Sequence, residues 1–163
     1  AKRHPRAFGA LHLLKPMQSS RIGVGPIMEH LTHPVKTPVD LINADDDSTL
    51  WLGRLHFEPS DPMAVTLEIN TRSQGTIPWS FARDLLANGI FEPSGAGSVQ
   101  VWPCLGADAS AVVMIELLSG QGSLCLQIPS RQVHQFLMES AAQMSKADSI
   151  IESALDDFLD GLS

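Results

Sequence analysis

From Val65 to Asn70 apolar and polar side chains alternate without a break: Val65, Leu67 and Ile69 against Thr66, Glu68 and Asn70. Successive side chains of a strand point to opposite faces, so the segment has one face for a core and one for water. That pattern belongs to an antiparallel sheet, because the strands of a parallel sheet are covered on both sides and read as continuous apolar runs. Thr49–Phe57 has the same period, with Leu50, Leu52, Arg54 and His56 opposite Trp51, Leu55 and Phe57. After residue 130 the period changes to steps of three and four. Strands first and helices last predict an α+β fold.

Turn chemistry divides the rest. Val35–Ile42 is a candidate strand, and Pro38 within it points to a sheet edge. Asn43-Ala44-Asp45-Asp46-Asp47-Ser48 and Glu58-Pro59-Ser60-Asp61-Pro62 are turns. Pro78 and Ser80 mark a helix start and Asn88-Gly89 its stop, with Phe81, Ala82, Leu85 and Leu86 at helical spacing. A loop with Pro93, Gly95 and Gly97 leads to a strand at Val99–Trp102. Ala111–Leu118 is a buried strand, turned at Ser119-Gly120-Gln121-Gly122 into its partner Ser123–Ile128. Two closing helices are expected. Ser130 would cap the first. Ser145-Lys146-Ala147-Asp148 resembles a capping box for the second, whose stripe of Ile151, Ala154, Leu155, Phe158, Leu159 and Leu162 is expected to be intramolecular core, with an intermolecular seam as the alternative. The organisation is therefore a weakly ordered or edge-strand extension over 1–34 and a single domain over 35–163, ending in a helical hairpin at 130–162.

The 163 residues suit one domain. Eleven Lys and Arg against 18 Asp and Glu give a net charge of −7, a poor balance for a nucleic-acid binder. The charge is polarised. Residues 1–21 hold Lys2, Arg3, Arg6, Lys15 and Arg21 and no acid, whereas 139–163 hold six acids and one base, Lys146. Opposite ends of this kind attract each other within a chain or between copies. The apolar patch Ala7–Leu14 is broken by His12 and lacks a cleavage site, so a cytoplasmic protein without a membrane span is expected.

Chemistry-bearing clusters are sparse. His30 and His33 have helical metal spacing but no third ligand nearby, and Asp45-Asp46-Asp47 lacks the alternation of a calcium loop. Gly95-Ala96-Gly97 lacks the third glycine of a dinucleotide loop, since position 100 is Gln100. Cys104 and Cys125 are too isolated for a zinc or disulfide framework, and have no neighbouring histidine to make a nucleophile. Trp51, Trp79 and Trp102 suit packing better than a base-stacking platform. No enzymatic activity, metal or cofactor is expected.

One block is distinctive. Asp61-Pro62-Met63-Ala64-Val65 is followed by Trp79-Ser80-Phe81-Ala82-Arg83-Asp84-Leu85-Leu86-Ala87-Asn88-Gly89. Pro93-Ser94-Gly95-Ala96-Gly97-Ser98-Val99-Gln100-Val101-Trp102-Pro103 comes next. Over roughly residues 50–140 this resembles the SsgA-like proteins of sporulating actinobacteria. The resemblance implies a non-enzymatic activator or scaffold of sporulation-specific cell division, acting at septa by helping to position or recruit the tubulin-like protein FtsZ. It also implies a homo-oligomer, a trimer, with FtsZ or another SsgA-like protein as partner. The fold it implies is Whirly-like: two antiparallel sheets packed across each other, an inserted helix and C-terminal helices. Phe81, Leu85 and Leu86 are expected in the core, and Arg83 with Asp84 in a structural or inter-subunit ion pair, or else as a solvated pair. Asp156, Asp157 and Asp160, with Lys2, Arg3 and Arg6, are candidate partner contacts. The alternatives are a single-stranded nucleic-acid-binding module and a septal-wall hydrolase using Cys104, Cys125 and His134.

Overall fold

The computed structural model describes residues 31–46 and 49–162. The basic segment with Lys2, Arg3 and Arg6, and also His30, Asp47 and Ser48, lie outside the described residues. Seven strands form one antiparallel sheet: β1 Val35–Asn43, β2 Leu50–Phe57, β3 Ala64–Thr71, β4 Gly75–Ala82, β5 Val99–Leu105, β6 Ala111–Ser119 and β7 Gly122–Pro129. A short helix, α1 Arg83–Gly89, joins β4 to β5, and a long one, α2 Ser130–Asp160, follows β7. The strand order is β4-β3-β2-β1-β7-β6-β5.

The two sheets expected from the resemblance are thus one sheet. Its halves meet at only two residue pairs, Ile42↔Gln127 and Asn43↔Leu126. So narrow a seam lets the sheet curl, and Trp79 of β4 lies on the same surface hollow as Leu117 of β6 and Leu124 of β7. The result is a half-barrel. α1 spans from the edge strand β4 to the edge strand β5 and packs against both.

Alternation sets the core. Leu55, Phe57, Leu67, Ile69, Leu126 and Phe136 are fully buried, each contributing roughly 1.5–3 kcal/mol relative to exposure. Leu50, Leu52 and Arg54 face solvent, as the period of two requires.

Prolines explain two departures. β1 lies inside the sheet order, not at its edge. Its seam with β7 begins only at Ile42, and upstream α2 takes the neighbouring place. The Asp40 N–H donates to Gln132 Oε1 at 2.9 Å, while Gln132 Nε2 donates to Asp40 Oδ2 at 3.0 Å. Pro38, two residues from Asp40, has its nitrogen on that same strandless side, so no ladder bond is lost. Pro78 starts no helix. It lies in β4, opposite Glu68, on an outer strand where a missing N–H is tolerated. The helix is confined to Arg83–Gly89, and Ser80 instead contacts Thr66 across the strands, Oγ to Oγ1 at 2.8 Å. Pro103 lies in the other edge strand, β5.

The C-terminal hairpin is also corrected. Ser130–Asp160 is one helix of 31 residues, about 46 Å long. Ser145–Asp148 contains no Gly or Pro, and Lys and Ala there favour continuation. Ser130 is the first helical residue. Pro129 takes the cap position, without a side-chain hydrogen bond.

Candidate functional site: an apolar surface on the helices

The distinctive block builds the junction between α1, β5 and α2. Arg83 opens α1, and its backbone N–H donates to Met63 O at 2.9 Å. Its guanidinium is not engaged as the expected ion pair with Asp84. Nε donates to Ser140 Oγ at 3.1 Å, and Nη2 donates to Ser140 Oγ at 3.0 Å and to Leu137 O at 3.1 Å. Ser140 Oγ in turn donates to Leu137 O at 2.9 Å and is fully buried. Burial lowers the Arg83 pKa, and the nearby Asp84 charge opposes that shift. The block's arginine thus clamps α1 to α2.

Leu86 is fully buried, Phe81 is buried and Leu85 is partly buried against the core. Gly89 ends α1 against β5, where a Cβ would stand 2.3 Å from Val101 Cγ1. Gly95 has φ +95°, and a Cβ there would also meet Val99 O at 2.4 Å. The loop it turns is pinned by reciprocal bonds between Ser94 and Val101 at 2.8 and 2.9 Å. Trp79 is half-buried against the core, and Trp102 and Asp61 are intermediate. Pro62 and Gly97 are exposed. Most of the block is therefore architecture.

Function is left to what this architecture displays. Phe91, just past α1, is 75% exposed and sets its ring edge-on to His134 of α2, centroids 6.3 Å apart. Met138, one turn further along α2, is 72% exposed. Phe91 and Met138, with the His134 imidazole, make an exposed, mainly apolar patch near the Arg83 clamp. A second surface begins further along the helix. Val133, Leu137, Ser140, Met144, Ala147, Ile151, Ala154 and Phe158 follow each other by steps of four and three. The first five lie against the body. Ile151, Leu155, Phe158, Leu159 and Leu162 are 39% to 70% exposed, so the stripe expected in the core is on the surface. Asp156, Asp157 and Asp160 flank it and are exposed.

Of the groups weighed for catalysis, His134 belongs to the Phe91 patch, and the two cysteines lie on β5 and β7. Burial, then the charges of Glu116 and Asp45, raise the Cys125 pKa, the reverse of what activates a thiolate. Cys104 is exposed on β5. A second surface hollow, about 540 Å³, is lined by Trp51, Arg72, Ile77 and Leu124 with neighbouring Thr, Ser, Gln and Leu side chains. Asp45 and Asp46 build a turn, in which Asp46 Oδ2 accepts from Thr49 Oγ1 at 2.7 Å. Among the described residues no three His, Cys, Asp or Glu side chains gather as metal ligands, and no helix is long and apolar enough to cross a membrane.

The fold and its surface define a class: a seven-stranded antiparallel half-barrel bridged by helices that display apolar side chains. Comparison with known proteins gives it a family. The family model described as Streptomyces sporulation and cell division protein, SsgA, matches residues 52–148. The chain belongs to this SsgA family. It is 40% identical over 88 residues to the sporulation-specific cell division protein SsgB of Streptomyces coelicolor, covering 54% of this chain and 64% of that protein. With SsgB of Salinispora tropica it shares 32% identity over 113 residues, 68% of this chain and 78% of that one. A solved structure, titled for mutations in SsgB that correlate to longitudinal cell division during sporulation of Streptomyces coelicolor, aligns with TM-score 0.65 and 30% identity. It covers 74% of this chain and 98% of that one. An SsgA-like protein from Thermobifida fusca shares the fold, with TM-score 0.63 at 22% identity, over 82% and 98% of the two chains.

Proposed function

We propose that this chain is a non-enzymatic scaffold of sporulation-specific cell division that helps to position or recruit FtsZ at septum sites. The observation that carries the reading is its 40% identity to a sporulation-specific cell division protein, SsgB. The family resemblance supplies FtsZ as partner, the division septum as location and a homotrimer as assembly. The recruiting surface in this proposal is Phe91, His134 and Met138. It is exposed and mainly apolar, lies within the family-matched span, and borders the α2 turn that Arg83 bonds. Aromatic and Met side chains of this kind are enriched where protein interfaces bury their core.

Co-sedimentation with FtsZ filaments in GTP tests this. Saturable recovery in the pellet is expected, weakened on the order of tenfold by Met138→Asp. A folded protein that stays in the supernatant overturns the proposal. The nucleic-acid alternative, tied to a Whirly-like likeness, is disfavoured by the −7 charge. A labelled single-stranded oligonucleotide at physiological salt is expected to remain unbound.

A further inference from the structure

We propose that residues 1–21 dock in cis along the exposed apolar stripe of α2, from Ile151 to Leu162. This does not rest on the FtsZ reading. Both segments lie outside the family-matched span of 52–148. They are complementary. The arm carries five bases and no acid, with Phe8, Leu11 and Leu14 among them, while the far end of α2 alternates Leu155, Phe158 and Leu159 with Asp156, Asp157 and Asp160. Apolar area on both sides supplies the association, and opposite charge fixes its sense.

The path of the chain selects the occupant. Asp40 bonds Gln132, and His33 N–H donates to Gln143 Oε1 at 2.9 Å. Going backward along the chain from Asp40 to His33 thus advances up α2 from residue 132 to 143. His33, the contact nearer the arm in sequence, is therefore also the one nearer Ile151. From Gln143 to Phe158 is fifteen helical positions, about 22 Å. Thirty residues precede Leu31 and span about 45 Å even if wholly helical, so an arm from the same molecule reaches the stripe.

Hydrogen exchange of the full chain tests the contact. Amides 151–160 are expected to be protected, and to exchange on the order of tenfold faster in K2E/R3E/R6E, with the sheet unchanged. Equal exchange in the two proteins overturns the proposal. A mixture of ¹⁵N-labelled and unlabelled protein, treated with a carbodiimide that joins lysine to carboxylate, identifies the occupant. Cross-links from Lys2 or Lys15 to Asp156, Asp157 or Asp160 within one isotope support docking in cis. Mixed-isotope cross-links assign the stripe to a second copy and overturn it, as do none at all.

Discussion

Arg83 shows how one side chain can carry more of an assembly than its sequence neighbours suggest. In sequence it stands beside Asp84, and the ion pair is the obvious expectation. In the fold its three side-chain hydrogen bonds all go to Leu137 O and the buried Ser140 Oγ of α2. Arg83→Ala leaves Leu137 O and Ser140 with fewer partners, and a loss of about 2–4 kcal/mol is expected in urea unfolding. Asp84→Ala is expected to cost under about 0.5 kcal/mol in the same measurement, as an exposed side chain does. Gly89 is limited by space. Gly89→Ala is expected to cost about 1–3 kcal/mol, and Val101→Ala does not rescue it, because the Val101 Cβ itself stands 2.5 Å from the new atom. Cys125 gives the pH dependence. Its folded pKa is raised, so the folded state holds the proton longer than the unfolded chain does. Stability therefore falls as pH rises above the unfolded thiol pKa, and does not depend on this group below it. Cys125 is also expected to react with a thiol reagent more slowly than exposed Cys104 at pH 8, a difference that vanishes in denaturant.

Among the elements, the sheet was the more legible. Strict alternation located β3 and β2, and the glycine turn located the β6–β7 hairpin, since a period of two admits a single backbone solution. The helix start expected at Pro78 and Ser80 is strand β4 instead. Phe81, Leu85 and Leu86 fall at helical spacing, yet Ile77, Trp79 and Phe81 also alternate, and pairing with β3 decides for strand as far as Ala82. Local patterns allow both periods where a strand runs directly into a helix. In sequence the serine and aspartate of α2 resemble a cap between two helices, yet the helix is continuous. A cap forms only where the chain changes direction, and no side chain here forces a change. Ser149→Pro tests the consequence. It breaks α2 beyond the body, so ellipticity at 222 nm falls while the unfolding free energy of the sheet in urea changes by less than about 1 kcal/mol.

At the scale of the whole molecule, the proposed homotrimer is read by sedimentation equilibrium. A species near three times 17.6 kDa is expected at micromolar concentration, and a monomer throughout counts against that assembly. The sequence by itself determined the α+β class, the buried faces of the strands and, through the tryptophan-to-glycine block, the family. These follow from side-chain period and local residue identity, which a linear reading contains. Only the tertiary structure decided that the strands share one curled sheet and that β1 lies inside it. It also directed Arg83 to α2 and left the stripe from Ile151 to Leu162 on the surface. Each of these depends on which distant element arrives at a face, and an apolar stripe reads the same in sequence whether the sheet reaches it or stops short.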